Sequence, residues 1–410
     1  MSTTLPAGER ASGDDRRTAN AAVVLRAVLD HGPVARNGIA RLSGLSASAV
    51  SRQCTDLLRL GLVREVPELV TASGVGRPQI PVDLATGDAG GPLVAGVHIG
   101  VPGASLGLTD LRGDVVASAY LDHSGMRSTE LADHVGRELA RFIDDHRPAG
   151  RRLLAVGAAV GGRVDPESGT ILRHDALGWH QRPLAFELSR HTGLPTWIDN
   201  HAHALARSEL LFGHPASRNS LVQLLVGNVV DAAFAVAGVV HSGPRSGASD
   251  VAHFPVPGSD VACPCGSTGC LEATVSEARL VRRAVADGII PEPSVLRLLG
   301  VAADGDQRAD ALLRERARAV GRVAGLLLDL LNPDLIVLTE LSSLLHPAYL
   351  GEVREAAIAQ SRACDDPERV VVPRAGKAAL LLAASTVALG PLFRDPLRTL
   401  GPTAATIAPT

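Results

Sequence analysis

The stretch HFPVPGSDVACPCGSTGCLEA, from His253 to Ala273, holds three of the chain's five cysteines within eight residues. Cysteines that lie this close together in a sequence can form disulfides, carry out redox chemistry or bind a metal ion. The opening residues MSTTLPAGER lack the pattern of a signal peptide, and no run of about eighteen apolar residues free of charges and breakers predicts a membrane span. We therefore expect a cytoplasmic protein, in which a structural disulfide is disfavoured.

The spacing of the cysteines favours metal over redox chemistry, because it is CxC and not the CxxC of thioredoxin-like sites. The set His253-x9-Cys263-x-Cys265-x4-Cys270 supplies one imidazole and three thiolates, which is a ligand set of closed tetrahedral zinc sites. Proline and glycine between the cysteines supply the tight turns that such a site needs. The alternative is a loop of buried, unligated cysteines, which rarely cluster among such residues. The sequence predicts a structural zinc ion.

The composition indicates a multidomain protein with an uneven charge. A chain of 410 residues, 46% of them apolar, predicts two or three domains, and with 2% aromatic residues their cores must consist of alanine, valine and leucine. The net charge of −3 argues against a protein that is basic throughout. Residues 1–80, however, hold ten arginines and seven acidic residues, which leaves −6 for the remainder. A mildly basic end is a weak indication of nucleic-acid binding.

The first eighty-five residues predict a winged helix-turn-helix. Residues 1–17 are polar without an apolar period, so we expect a flexible tail there. Two short helices follow the first amphipathic helix and are separated by a turn at Gly44; Ser46 suits the N-cap of the last helix, and Gly61 ends it. The glycine turn is typical of a helix-turn-helix, and the strand-like LVREV after it adds a wing. We assign this domain, with a GRP-containing linker, to residues 18–85.

The N-terminal side chains of the last helix would meet base edges in the major groove. The predicted DNA-binding residues are Ser46, Ser48, Ala49, Ser51, Arg52 and Gln53 on this helix, with Arg77 in the linker. Arg52 suits guanine and Gln53 suits adenine. Arg77, flanked by glycine and proline, fits a narrow minor groove. The alternatives are a helical bundle used for dimerisation and an ordinary linker. Short polar side chains on the helix favour double-stranded DNA.

From residue 90 to 400 strands and helices alternate, with strand-rich starts near 93 and 221. This pattern predicts an α/β body of two similar lobes around a cleft. We place lobe one at about 93–200 plus a C-terminal helix, and lobe two at about 201–378. Residues 401–410 are expected to form a tail.

Together these features resemble the ROK family of repressors, open reading frames and sugar kinases, over essentially the whole chain from about residue 17. The most specific feature is the His/Cys spacing that ends in GCLE; the segments AVGGRVDPESGTI, WIDNHAHALARSE and NPDLIVL resemble further parts of the family. The resemblance implies a two-lobed actin-like (ribonuclease-H-like) fold with a sugar, and in the kinases ATP, in the cleft.

Four segments depart from the pattern of the family's kinases. The base of those kinases is the aspartate of an Asn-Asp pair, where this chain has Asn200-His201. Their two phosphate loops correspond here to HIGVP from His98 and to GNVVDA from Gly227, and a late glycine pair corresponds to Thr339-Glu340. Each change removes an acidic group or crowds a phosphate. We therefore do not expect an enzyme.

The sugar side of the resemblance is better preserved. The residues that it implies for effector binding are Gly162, Arg163, Asn200, His201, Asp250, His253 and Glu272. His253 would bind the metal through one ring nitrogen and face the sugar with the other. The alternative is a relic cleft that binds nothing.

The sequence as a whole predicts a sugar-responsive transcriptional repressor. It would bind a double-stranded DNA operator as a homodimer or homotetramer, since two-fold proteins bind two-fold sites, and would respond to a small carbohydrate or a derivative of one. No membrane partner is expected. The alternatives are a sugar kinase with a DNA-binding appendage and a constitutive DNA-binding protein with an empty cleft.

Overall fold

The computed structural model describes residues 13–70, 79–87, 90–248, 250–256, 258–263 and 265–400. Arg77 and the predicted tail at 401–410 lie outside the described residues.

The described residues of the segment 13–87, which we call the head, form three α-helices followed by a two-stranded antiparallel sheet. The elements are α1 (Gly13–His31), α2 (Arg36–Ser43), α3 (Ala47–Leu60), β1 (Val63–Glu65) and β2 (Val82–Leu84). The Ser46 hydroxyl caps α3 by accepting a hydrogen bond from the Ala49 backbone N–H at 3.2 Å. Gly44 and Gly61 end α2 and α3 with φ of 69° and 71°, a conformation that glycine adopts without strain. The predicted winged helix-turn-helix is confirmed.

The boundary predicted for the N-terminal tail is wrong, because α1 begins at Gly13 and so includes residues assigned to the tail. The polar pattern of this segment misled the prediction, since a solvent-exposed helical turn needs no apolar stripe. Ion pairs connect this turn to two other helices. Arg17 reaches Asp56 on α3 at 2.8 Å, and Asp15 accepts a hydrogen bond from Arg398 at 2.8 Å.

Lobe one is built on a five-stranded sheet with the order β10-β6-β3-β4-β5. Its elements are β3 (Leu93–Ile99), β4 (Gly103–Thr109), β5 (Val115–Asp122), α4 (Ser128–His146), β6 (Leu153–Val160), β7 (Arg163–Asp165), β8 (Thr170–His174), β9 (Trp179–Arg182), α5 (Leu184–Thr192) and β10 (Thr196–Asn200). Strands β3, β6 and β10 run parallel to one another, β4 is antiparallel to β3, and β5 is antiparallel to β4. Strands β7, β8 and β9 form a separate small sheet. The helix predicted at about 128–146 is confirmed by α4.

Lobe two repeats this arrangement in a sheet with the order β13-β12-β11-β14-β15. The elements after lobe one are α6 (His201–Phe212), β11 (Ser220–Val226), β12 (Val230–Val236), β13 (Val239–Val240), α7 (Leu271–Val275), α8 (Glu277–Ala286), α9 (Val295–Ala303), α10 (Gln307–Leu331), β14 (Leu335–Glu340), α11 (Leu341–Leu345), α12 (Pro347–Gln360), β15 (Val370–Val371), α13 (Ala379–Arg394) and α14 (Pro396–Leu400). In both sheets the first strand pairs antiparallel with the second and parallel with the fourth. The predicted similarity of the two lobes is confirmed.

Helix α13 packs against the first sheet and against α6, which also contacts the second sheet. It belongs to the stretch Gly376–Arg394, the one helix of the described chain that is long and apolar enough to cross a membrane. Two-thirds of that stretch is buried inside the protein, so its apolar composition is explained by packing in the core.

Candidate functional site

The exposed face of α3 carries short polar side chains and one arginine at its N-terminal end. Ser46, Ser48, Ser51 and Arg52 are all exposed, as predicted. Thr55, one turn further along, is exposed on the same face and was missed by the sequence analysis. A count of every fourth residue from Ser51 would have found it.

Two of the predicted DNA-binding residues face the interior. Gln53 is 3% exposed and Ala49 is 7% exposed, so the prediction that both point outward is wrong. The physical reason is helical periodicity, which places residues 49, 50, 53, 54 and 57 on one face, where Val50 and Leu57 are completely buried. Gln53 was assigned to the groove for its chemistry, although its position follows the apolar stripe.

The four predicted metal ligands converge in the loop before α7. Their ligand atoms all lie within 4.8 Å of one another. Sγ of Cys263 is 3.7 Å from Nδ1 of His253, and Sγ of Cys265 is 3.6 Å from Sγ of Cys270. Around a tetrahedral zinc ion with Zn–S bonds of about 2.3 Å, neighbouring sulfur atoms are roughly 3.8 Å apart. The cluster therefore fits a structural zinc ion in both ligand type and spacing.

Backbone hydrogen bonds hold this loop in the required shape. Gly266 N–H donates to the Cys263 carbonyl at 3.0 Å, and Cys263 N–H donates to the Ser267 carbonyl at 2.9 Å, which closes a tight turn. The loop ends at Cys270, which is directly followed by the short helix α7. Glu272 on α7 accepts a hydrogen bond from the Val230 N–H at 3.1 Å, so the metal-ligand loop is connected to the start of β12 at the cleft.

A cavity of about 480 Å³ lies between the lobes. It is lined by the ends of β3 and β11, by the loops that follow them, and by α11 and the start of α13. All four segments that depart from the kinase pattern contribute to its wall. These residues are His98, Ile99, Gly100, Val101, Pro102, His201, Gly227, Asn228, Val229, Thr339 and Glu340. Asn228 of lobe two donates a hydrogen bond across the cleft to the Val101 carbonyl of lobe one.

Three histidines stand together in the wall of this cavity. His98 lies near the end of β3, His174 ends β8, and His201 begins α6 directly after β10. The rings of His98 and His201 stack with their centroids 5.9 Å apart. Gly161 lets the rings approach, because a Cβ there would lie 3.0 Å from Nε2 of His174 and 3.1 Å from Cε1 of His201.

The protein environment lowers the pKa of two of these imidazoles, His98 and His174. Burial, with a contribution from the neighbouring His201, lowers the pKa of His98 to about 3. The same two causes lower the pKa of His174 to about 4, and the Leu177 N–H points at Nδ1 of that ring at 3.4 Å. A neutral imidazole offers one hydrogen-bond donor and one acceptor. His98 and His174 are therefore suited to hydroxyl groups.

The residues predicted to bind an effector are divided between the cavity and a neighbouring polar surface. Of the seven, His201 lines the cavity, while Gly162, Arg163, Asp250 and His253 are exposed outside it. Burial raises the pKa of Glu272, and the nearby carboxylates of Asp231 and Asp250 raise it further.

Asn200 is engaged within the protein. Its Oδ1 caps α6 by accepting hydrogen bonds from Ala202 N–H at 2.7 Å and His203 N–H at 3.2 Å. Its Nδ2 donates to the Gly162 carbonyl at 2.9 Å and to Asp231 Oδ2 at 2.6 Å. Asp231, a residue of the altered second phosphate loop, thus points at Asn200 and lies 3.6 Å from Nε2 of His201.

Comparison with known proteins identifies both parts of the chain. Residues 94–389 match the ROK family, and residues 12–69 match the MarR family. The chain belongs to the ROK family, with a MarR-type winged helix-turn-helix at its N-terminus.

Its relatives include named transcriptional regulators. The Mycobacterium tuberculosis (strain H37Rv) protein named Transcriptional regulator Rv0485 is 35% identical over 93% of this chain and 87% of its own length. The DNA-binding transcriptional repressor Mlc of Escherichia coli K12 is 25% identical over 84% of this chain and 87% of its own length.

Solved structures share the fold. A ROK family transcriptional regulator described as a homologue of E. coli Mlc superposes with a TM-score of 0.74 at 21% identity, over 92% of this chain and 97% of that one. A ROK family glucokinase of Streptomyces griseus, solved with glucose and AMPPNP, superposes with a TM-score of 0.63 at 23% identity, over 72% of this chain and 98% of that one. The expected actin-like body is confirmed.

The buried histidines predict a loss of stability in mild acid. Between the ordinary histidine pKa of about 6.5 and the folded value for His174, the unfolded chain binds a proton that the folded chain does not, so stability falls as the pH falls. His174→Asn keeps an acceptor near Leu177 and removes the titrating ring. Measured by urea unfolding, the free energy of unfolding of the variant should fall by about 2 kcal/mol less than that of the wild type between pH 7 and pH 5. A control variant at the exposed His31 should lose as much as the wild type; equal losses for all three proteins would contradict the prediction.

Proposed function

We propose that this chain is a DNA-binding transcriptional repressor whose two-lobed body binds a small carbohydrate-type effector without phosphorylating it. The observation that carries the proposal is the exposed polar face of α3, with Arg52, on a head that is packed against a sugar-kinase-like body. The names of the relatives support the same function. The protein would act in the cytoplasm, as a homodimer or homotetramer on a two-fold operator.

Loss of kinase activity is supported by what replaces the phosphate-binding machinery. The family's catalytic aspartate is replaced by His201, and burial keeps the neighbouring His98 neutral, so two acidic groups that would serve the sugar and magnesium are missing. Glu340, at the late glycine position, is 4% exposed and is paired with the buried Arg316. This buried, paired side chain occupies space that the family's glycine pair would leave open to a nucleotide. A sugar kinase would instead show sugar-dependent ATP consumption.

The contacts of the head suggest how the cleft is coupled to DNA binding. Toward lobe one the attachment is extensive: Leu57 and Val82 of the head share a buried apolar cluster with Leu111 and Leu392. An ion pair between Arg112 and Asp83 joins the same two bodies.

Toward lobe two the head makes an exposed ion pair. Asp30 at the end of α1 lies 2.8 Å from Arg218, which precedes β11. When the lobes rotate about the cleft, the head would follow lobe one, and the Asp30–Arg218 contact would form or break. An effector that binds the two lobe arrangements unequally would thereby change the affinity for DNA.

Replacement of Arg52 tests the DNA-reading assignment. A DNA duplex would first be selected by the wild-type protein from a random library. Arg52→Ala should then lose roughly tenfold or more of the preference for the selected duplex over random DNA at one fixed salt concentration, since a bidentate arginine–guanine contact contributes about 1–3 kcal/mol. Arg137→Ala, on the exposed surface of lobe one, is the matched control. An unchanged preference in both variants would exclude Arg52 from base recognition.

Arg77 remains a predicted minor-groove contact.

Replacement of Cys265 tests the zinc assignment. Cys265→Ser removes one of four ligands, so we expect bound zinc, measured by elemental analysis, to fall well below one equivalent and the melting temperature to drop. The response of DNA binding to effector should weaken as well, because the loop positions Glu272 at the cleft. Cys364→Ser, at a buried cysteine outside the cluster, is the matched control. Full zinc content in Cys265→Ser would remove Cys265 from the ligand set.

Replacement of Arg218 tests the coupling. Exposed ion pairs stabilise proteins by about 0–1 kcal/mol, so Arg218→Ala should unfold at nearly the wild-type denaturant concentration. We would measure the factor by which each of a panel of sugars and sugar phosphates changes the affinity for the selected duplex. In Arg218→Ala this factor should nevertheless differ from the wild-type factor by about threefold or more. Arg297→Ala breaks the exposed Arg297–Glu292 pair of lobe two, 3.0 Å long, and serves as control. If both variants keep the wild-type factor, the ion pair takes no part in the coupling.

A further inference from the structure

The interlobe cavity has an apolar side that a free sugar would leave unused. Leu296, Leu341, Leu344, Leu345 and Leu380 all contribute to its wall. Leu296 on α9 is 62% exposed, and Tyr120 on β5 is 64% exposed, so both leave apolar surface open to solvent at the cavity. A sugar ring binds mainly through its hydroxyl groups and does not require a wall of leucines. A ligand that fills the cavity must carry apolar surface of its own.

The histidine side of the cavity offers hydrogen bonds that the protein does not use. His98 is 9% exposed and His201 is 3% exposed. Nε2 of His98 and both ring nitrogens of His201 are buried without a hydrogen-bond partner anywhere in the described parts of the chain. Buried polar atoms are normally paired, because an unpaired one costs about 1–3 kcal/mol. These nitrogens lack a partner within the described protein, and the rings that carry them line the cavity.

The charges around the cavity favour an uncharged ligand. Among the described residues that line the cavity, Lys377 is the one lysine or arginine, and Glu277 and Glu340 are also present. Glu340 is balanced by Arg316, and Asp231 stands 3.6 Å behind His201. No excess of positive charge is present among the described lining residues to hold a phosphate or a carboxylate.

We propose that the cavity binds a glycoside with an apolar aglycone: sugar hydroxyls bond to His98 and His201, and the aglycone packs against the leucines. The inference rests on the proposed function, because it takes the carbohydrate effector as its starting point and adds the class of substituent. The volume of about 480 Å³ accommodates a hexose together with a chain of about six carbons.

Binding of alkyl glycosides tests the inference. Methyl and hexyl β-glycosides of glucose, galactose and mannose would be titrated into the full chain below their micelle-forming concentrations, with heat of binding as the readout. Hexanoate and hexyl phosphate test whether the cavity prefers a ligand with an anionic group. Each methylene that is buried should tighten binding by about fourfold, so a hexyl glycoside should bind at least a hundredfold more tightly than its methyl counterpart.

Two variants separate the apolar contact from the polar one. Leu296→Gln should weaken binding of the hexyl glycoside by about tenfold and leave binding of the methyl glycoside unchanged. His201→Gln should weaken binding of both glycosides. Leu330→Gln, at a leucine of α10 that is 69% exposed and does not line the cavity, is the matched control and should bind as the wild type does.

The other outcomes overturn the inference. Equal affinity for methyl and hexyl glycosides would mean that the leucines bind no aglycone, tighter binding of hexanoate or hexyl phosphate would mean an anionic ligand, and no binding by any compound would remove glycosides as a class. Binding to the selected DNA duplex, measured on the same samples, keeps these results apart from the proposed function. DNA binding that persists while the glycosides fail refutes the inference alone; loss of sequence-specific DNA binding refutes the repressor.

Discussion

The close packing of α13 on the first sheet is the constraint on which the rest of the structure depends. At Gly96 a Cβ would lie 2.4 Å from the Ser385 hydroxyl, and at Gly157 it would lie 2.2 Å from the Ala384 carbonyl. The helix thus rests directly on the strand backbones, and a buried hydrogen bond of 2.7 Å between Thr109 and Ser385 fixes its register. A helix held so closely moves with its sheet as one body.

This helix also connects the two functional regions. Its first residues, Ala379 and Leu380, line the interlobe cavity, while Leu389, Leu392 and Phe393 near its end belong to the apolar cluster shared with the head. Sixteen residues of α-helix span about 24 Å, so a rigid element joins the cavity side of lobe one to the head. Lobe two, which holds the metal-ligand loop, contacts the head through the Asp30–Arg218 ion pair and through Leu211 and Phe212 of α6, which pack against the same apolar cluster.

The sequence predicted the parts that depend on short-range spacing. The convergence of His253, Cys263, Cys265 and Cys270, the helix-turn-helix with its Ser46 cap and the two similar lobes were all recognisable, since each rests on residue types at fixed intervals. The error on the recognition helix arose where a chemical role was given priority over periodicity. Gln53 was assigned to DNA for its amide, whereas its place on the helix puts it beside Val50 and Leu57 in the core.

The chemistry of the cleft was decided by the tertiary structure. His98, His174 and His201 are far apart in the chain and become one cluster only because the ends of β3, β8 and β10 meet between the lobes. Burial there lowers the pKa of His98 and of His174. Likewise, the leucines of α9, α11 and α13 form one wall only after two sheets and their helices have packed. The sequence by itself determined the family, the His/Cys cluster that fits a metal ion and the DNA-binding motif, because those are local patterns. The cavity depends on distances between distant segments, which only the folded chain sets.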